Sequence, residues 1–178
     1  MEPPALGPGL KWEEIRAYLN LLARLRPEQQ LQGKVDLSGV VQQTLLETHQ
    51  SIDRFQQMSE GERAVWLREI FGNNIRDEAR KYRTAGRDVE RECPLEGDLE
   101  DSSTPSGKVI RSEDELRVAW ALEQLPDDER TVLELYFWKG CKRVEIARQM
   151  KVERKKVTRR LEKGLQTLRT LLGERGQE

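Results

Sequence analysis

Histidine is almost missing from this chain, with His49 the only one, and the two cysteines, Cys93 and Cys141, have no nearby Cys or His partner. A structural zinc site is therefore hard to assemble, and both thiols read as reduced and incidental, with a redox role for Cys93 as the minor alternative. Aromatics make up only 6% of the residues, too few, with the scarcity of β-branched runs, to furnish a strand-rich fold. No alternating apolar segment insists on a sheet, whereas abundant Leu, Glu, Arg and Gln suit helical surfaces. The composition thus predicts an all-α protein. No apolar run reaches membrane-spanning length, and the opening residues 1–9 are too rich in Pro and Gly and too poor in bases for a secretory signal, which predicts a cytoplasmic protein. Also lacking are a Gly-rich phosphate loop, a metal-ligand cluster and a nucleophile-base pair. The expectation is a binding protein without enzymatic turnover, cofactor or metal.

Net charge is equally scarce. Lys and Arg total 31 against 32 Asp and Glu, a formal charge of −1. The balance conceals an asymmetry, because between Lys139 and Leu172 the bases Lys139, Lys142, Arg143, Arg148, Lys151, Arg154, Lys155, Lys156, Arg159, Arg160, Lys163 and Arg169 meet only Glu145, Glu153 and Glu162. A basic module inside a neutral chain suits attraction to phosphates.

The local grammar of that module is specific. Leu116, Ala119, Trp120 and Leu122 recur at helical spacing, and Leu125-Pro126-Asp127-Asp128-Glu129 breaks the run and starts a second helix with acids at its N-terminal dipole. Val132, Leu133, Leu135, Tyr136 and Trp138 form the next apolar face, which Gly140 stops. A short helix over 141–150 follows, with Val144, Ile146, Ala147 and Met150 facing inward, then a tight turn at Lys151-Val152-Glu153. From Arg154 a long helix buries Val157, Leu161, Leu165, Leu168 and Leu172 and leaves Lys155, Lys156, Thr158, Arg159, Arg160 and Glu162 outside. Short helix, turn and basic long helix make a helix-turn-helix, and the outer face is what a major groove would meet.

Upstream, Trp12, Ile15, Tyr18, Leu19, Leu22 and Leu25 share one face of a helix that Pro27 interrupts. Asp36-Leu37-Ser38 caps a helix with Val41, Leu45, Thr48 and Ile52 inside and Gln42, Gln43, Glu47 and Gln50 outside. Residues 53–61 lack an apolar period and read as a loop ending in a Ser-containing start signal, and the next helix carries Ala64, Val65, Leu67, Ile70, Phe71, Ile75 and Ala79 before turning basic at Arg76, Arg80, Lys81, Arg83 and Arg87. Residues 88–112 are acidic, Pro/Ser/Gly-containing and poor in large apolars, so they read as a flexible linker. The predicted organisation is a loose tail over 1–10, a helical domain over 11–87, the linker 88–112, a helix-turn-helix domain over 113–172 and a tail over 173–178.

Leu122-Glu123-Gln124-Leu125-Pro126, Arg130, Val132-Leu133, Val144-Glu145-Ile146-Ala147 and Val157-Thr158-Arg159-Arg160-Leu161 resemble the promoter-reading C-terminal domain of bacterial RNA polymerase sigma factors. In the N-terminal half, Val41-Gln42-Gln43-Thr44, Leu45-Leu46-Glu47, Phe55, Trp66-Leu67-Arg68, Ile70, Asn73-Asn74 and Arg80 resemble the domain that binds polymerase and opens the minus-10 element. Two such domains joined directly look like the small extracytoplasmic-function subfamily of sigma-70-like factors.

The resemblance implies a set of roles. Gln42, Gln43, Glu47 and Gln50 would dock on the β′ clamp helices, and the carboxylate that the family usually has where this chain has Gly39 is either missing or replaced by Asp36. The loop over 53–61 together with Asn73 or Asn74 would catch an unstacked base of the nontemplate strand, with Phe55 either stacking on that base or packing in the core, and Arg76, Arg80, Lys81 and Arg83 would hold phosphates at the duplex junction. Lys155, Lys156, Thr158, Arg159 and Glu162 would reach base edges at the minus-35 element, with Arg143 and Arg160 as phosphate clamps and Lys163 as a contact without sequence preference. Trp12, Trp66, Trp120 and Trp138 read as core. The implied partners are core RNA polymerase, through β′ clamp helices and β flap, and promoter DNA, with room for an anti-sigma factor. Lys151 departs from the family, which usually has Gly in the turn before the recognition helix. The alternative reading is a helix-turn-helix regulator that binds DNA by itself, with the N-terminal half dimerising or sensing.

Overall fold

The computed structural model describes residues 11–26, 35–85 and 115–175. The expected N-terminal tail, the whole linker 88–112, Cys93 and Arg87 lie outside the described residues. The described residues are predominantly helical with no strand among them, so the fold is all-α. The chain divides into two compact units, Met1–Ser102 and Ser103–Glu178.

The first unit holds α1 (Trp12–Leu25), α2 (Leu37–Gln50), α3 (Ile52–Gln57) and α4 (Glu60–Ala85). Arg26, which precedes Pro27 in sequence, is already extended at φ −67° and ψ 137°, the preference of a pre-proline residue, and so ends α1. α1, α2 and α4 pack on one another around Ile15, Leu19, Val40, Leu67, Phe71 and Ile75. Burial of such side chains contributes about 1.5–3 kcal/mol each before the entropy of ordering is counted. The buried stripe of α1 is Ile15, Tyr18, Leu19 and Leu21, with Leu22 and Leu25 only half-buried, so the face is rotated from the one that the spacing predicts.

Two expectations fail here. Residues 53–61 are not simply a loop, because Ile52 and Phe55, three positions apart, give Ile52–Gln57 one helical turn with Phe55 fully buried inside. Ile52 therefore belongs to α3 rather than to the inner face of α2, where Thr48 is buried as expected and Thr44 is buried beside it, the two donating to the carbonyls of Thr44 and Val40 at 2.7 and 2.8 Å. The start signal behaves as a capping pair. Ser59 donates from its backbone and hydroxyl to Glu62 Oε2 at 2.8 and 2.7 Å, closing the N-terminus of α4.

The second unit holds α5 (Glu115–Glu123), α6 (Asp127–Leu133) continuing as a π-helical turn (Glu134–Trp138), α7 (Arg143–Gln149) and α8 (Arg154–Arg175). α8 packs against α5, α6 and α7, and runs beyond Leu172, so residues 173–175 are helix rather than tail. It approaches α6 at Gly164, where a Cβ would lie 2.9 Å from Leu133 Cδ1. The absent side chain is what admits the crossing. Leu165, Leu168 and Leu172, expected to be buried, are half-buried, and Val144 faces out at 44% exposure where an inward position is predicted. Trp12, Trp66, Trp120 and Trp138 are half-buried rather than enclosed, Trp12 stacking on His49 with ring centroids 5.8 Å apart. A bulky ring near a helix end can cover a neighbour while keeping one edge wet.

Candidate nucleic-acid interface

In the C-terminal unit the turn between α7 and α8 sets the angle of the helix-turn-helix. Val152 N–H donates to the Ala147 carbonyl at 2.9 Å and Lys151 N–H to the Arg148 carbonyl at 3.2 Å, a six-to-one plus five-to-two closure of the helix end. That closure needs a left-handed residue between them. Lys151 supplies it at φ 53°, the conformation that glycine adopts without penalty. At the other end of α7, Glu145 Oε2 accepts from Lys142 N–H at 2.6 Å, and Gly140 takes φ 64° to leave the π-helical turn.

On α8 the inward stripe is Val157, Leu161 and Gly164, spaced four and three apart. Lys155, Arg159 and Glu162 repeat the same spacing on the exposed side, with Lys156 beside them. Among the described residues no carboxylate pairs with Lys155, Lys156 or Arg159, so their cationic heads face solvent. Thr158 is half-buried and its hydroxyl donates back to the Arg154 carbonyl at 3.3 Å. Arg143, exposed at the start of α7, lies over the Tyr136 ring with its guanidinium carbon 5.8 Å from the centroid, which holds the charge against the π-helical turn. Arg148, Lys151 and Arg154 are also exposed around this turn, and Lys142 is exposed at the other end of α7. They were visible in the sequence as basic residues, and the position of Arg148, Lys151 and Arg154 flanking the turn adds those three to the cationic surface.

Two predicted cations are elsewhere. Arg160 is not a free phosphate clamp, because it is ion-paired with Asp128 on α6 and only 15% of its side chain is exposed. Lys163 Nζ donates to Glu129 Oε1 at 2.6 Å, and that carboxylate is nearly enclosed. Helical periodicity places 160 and 163 at the margin of α8's outer face, but it cannot show that α6 brings acids to the same margin.

In the N-terminal unit, the structure joins residues that the sequence assigns to different partners. Asp36 at the N-cap of α2, Gly39, Val40, Gln43 and Glu47 within it, and Asn74, Asp77, Glu78 and Lys81 of α4 line one groove of about 660 Å³. Asp36 reaches over the first turn of α2, its Oδ2 2.7 Å from where a Gly39 Cβ would stand, so Asp36 fills the space of the absent side chain. Gln43 donates to Glu47 at 2.7 Å, while Gln42 and Gln50 are exposed. Asp77 and Glu78 were not singled out from the sequence, where they sit inside a basic run, and they make the groove acidic.

The predicted base-capturing pair is corrected by burial. Phe55 has 0% exposure, tilts against Trp66 at 5.4 Å and lies under Arg63, so its ring faces the core and cannot stack on a base in this structure. Asn74 donates to Thr44 and Glu47 rather than pointing outward, whereas Asn73 is exposed. Arg76 and Arg80 are exposed, Arg80 3.4 Å from Asp77, and Lys81 is 3.4 Å from Glu78. Burial, and after it the Arg76 charge, push the Arg26 pKa below its ordinary value, so these two guanidinium groups share one neighbourhood. The side chain of Arg83 is outside the described residues.

Residues 121–170 match the family model of sigma-70, region 4. The match runs from within α5 into α8 and spans the whole helix-turn-helix. This segment is similar to the DNA-binding domain of sigma factors, a domain that recognises promoter DNA rather than catalysing a reaction. No curated protein matches the chain's sequence. Among the described residues no helix is long and apolar enough to cross a membrane.

Proposed function

We propose that this chain is a sigma factor of the extracytoplasmic-function type, which binds core RNA polymerase and directs initiation at promoters with defined minus-35 and minus-10 elements. The observation that carries this reading is the region-4-like helix-turn-helix with Lys155, Lys156, Arg159 and Glu162 on the exposed side of α8. Arg can grip the paired acceptors of guanine, Lys can reach the same edge, and Glu can accept from cytosine, so the set is adequate for sequence readout. Arg143 and the exposed bases around Lys151 would hold phosphates and fix register.

The first unit is then the polymerase-binding and minus-10 domain over 11–87, joined through the linker 88–112 to the promoter-reading domain over 113–172. Support comes from the α2 face, where Gln42, Gln43, Glu47 and Gln50 lie beside an acidic groove that suits a basic partner surface, and from Asp36 occupying the space at Gly39. Asn73, Arg76, Arg80 and Lys81 remain the residues of this unit for the melted strand and its junction. Capture of a flipped base can return the few kcal/mol that unstacking costs, so strand opening needs no nucleotide hydrolysis by this chain.

Transcription from a promoter library by core polymerase, with and without the purified chain, tests the reading. A new set of start sites sharing minus-35 and minus-10 sequences supports it. Tight operator binding without association with core polymerase would instead identify an independent regulator and overturn it.

A further inference from the structure

The basic face of α8 is smaller than its sequence suggests, because two of its cations are held by acids of α6. Arg160, 15% exposed, pairs with Asp128, and Lys163 pairs with the enclosed Glu129 at 2.6 Å. Asp128 and Glu129 both sit in the first turn of α6, where the positive end of the helix favours negative charge, and the α6–α8 approach at Gly164 brings that turn against α8. A carboxylate offers a guanidinium or an ammonium the same kind of anionic oxygens that a DNA phosphate does. Each internal pair therefore competes directly with the nucleic-acid backbone for one cation.

We infer that Asp128 and Glu129 are internal stand-ins for phosphate that withhold Arg160 and Lys163 from DNA, limiting sequence-independent attraction while leaving Lys155, Lys156 and Arg159 free to read bases. The inference rests on the DNA-binding reading of this unit. Sequence-independent binding scales with the number of phosphates neutralised, whereas discrimination comes from base edges. Withholding marginal cations thus lowers affinity for arbitrary duplex more than for a site that engages the exposed stripe. The pairs also fix the roll of α8 about its axis, which presents that stripe outward.

The test is the salt dependence of full-chain binding to a mixed-sequence duplex of about 20 base pairs, a length covering two turns of groove. Asp128→Asn releases Arg160, and because Asp128 is itself largely exposed the exchange leaves the core undisturbed, which circular dichroism checks. The plot of log affinity against log salt steepens by about 0.9 for one added phosphate, and affinity at 0.1 M salt rises roughly eightfold for a purely electrostatic contact. Arg160→Gln added to Asp128→Asn returns the slope to that of the parent. Asp127→Asn makes the same change of charge on a residue paired with Arg130 instead, and it leaves the slope as it was.

An unchanged slope for Asp128→Asn overturns the inference, as does a gain that Arg160→Gln fails to reverse or that Asp127→Asn reproduces. If the parent chain shows no salt-dependent association with duplex at all, the DNA-binding reading falls first and takes the inference with it.

Discussion

Asn74 on α4 donates a 3.2 Å hydrogen bond to the Glu47 carboxylate on α2, and the same amide reaches Thr44 Oγ1 at 3.1 Å. A residue that resemblance assigns to a flipped base is thereby a strut between two helices of the first unit. Asn74→Ala removes both bonds beside the fully buried Thr44 and lowers stability by about 1–2 kcal/mol. Asn73→Ala, on an exposed side chain, changes it by less than about 0.5 kcal/mol. Urea unfolding of the two variants checks this, and equal losses would remove the strut from the account.

Arg63 gives a second case in which a surface-looking base has an internal task. It donates to the carbonyls of Phe55 and Gln56 at 3.1 and 2.9 Å and stacks its guanidinium over the Phe55 ring. These bonds satisfy carbonyls at the end of α3, which a six-residue helix cannot satisfy by itself. Arg63→Ala should cost about 1–3 kcal/mol, and Arg63→Lys recovers only part, since one ammonium lacks the planar fork. Phe55→Ala should cost more, about 3–5 kcal/mol, as a cavity in the core does. A stable Phe55→Ala protein with a selective defect in strand opening would restore the base-stacking role.

The Ser59–Glu62 cap makes the first unit sensitive to acid. Bonds from the Ser59 backbone, then from its hydroxyl, hold the Glu62 carboxyl below its ordinary 4.5. A depressed folded value means that the stabilisation is fully present above the unfolded value and fades as pH falls through the folded one. Glu62→Gln is therefore less stable than the parent at neutral pH, and the difference narrows as pH falls below about 4.5, where the unfolded carboxyl begins to protonate, and vanishes once pH has passed below the lower folded value. Thermal melts at neutral and acidic pH measure the gap, and a gap that stays constant would show that the charge of Glu62 is irrelevant to the cap.

The order and kind of helices were legible because each long helix carries an apolar stripe at helical spacing and each break carries its own chemistry: Pro27 after α1, Ser59 before α4, Pro126 before α6 and Gly140 after the π-helical turn. The α7–α8 turn was legible too, even with Lys151 in it. What the pattern hides is local in sequence but decided across helices. One apolar pair, Ile52 and Phe55, is too short a signal to separate a single helical turn from a loop. Gly164 carries no signal of its own in the sequence, and only Leu133 against it shows why a side chain is absent there. The outer face of α8 is likewise legible as basic, but which bases are committed depends on Asp128 and Glu129, more than thirty residues earlier. In the first unit the groove escaped for the same reason, since the polar face of α2 and the basic end of α4 read as surfaces for different partners until the two helices are packed together.

Lys151 holds φ 53°, a conformation that costs a side-chain-bearing residue about 1–2 kcal/mol relative to a helical one. Lys151→Gly removes the steric part of that cost at the price of more freedom in the unfolded chain, and a net gain of up to about 1 kcal/mol is expected. Lys151→Val moves the other way, because a β-branched side chain tolerates this region least. Melting of the second unit, followed by a reporter placed there such as Trp138 fluorescence, ranks the three proteins. A Gly variant that melts below the parent would mean that the Lys151 side chain contributes more than its backbone costs.

Arg159 and Lys163 lie four residues apart on α8, and resemblance makes both of them DNA contacts, but their surroundings separate them. Arg159 is exposed with no carboxylate on it, whereas the ammonium of Lys163 sits 2.6 Å from an enclosed carboxylate. Arg159→Ala should therefore leave the melting temperature nearly unchanged and reduce initiation at cognate minus-35 sequences by about tenfold, the lower range for losing one bidentate base contact. Lys163→Ala should do the opposite. It strands the Glu129 carboxylate and costs about 1–3 kcal/mol of stability, while the salt slope of DNA binding stays that of the parent. Glu129→Gln combined with Lys163→Ala recovers part of the loss, since a neutral amide is cheaper to enclose than an unpaired charge. Denaturation curves and transcription from cognate and scrambled minus-35 templates separate the two roles, and a Lys163→Ala protein with parental stability but weakened binding to every duplex would return Lys163 to the phosphate backbone.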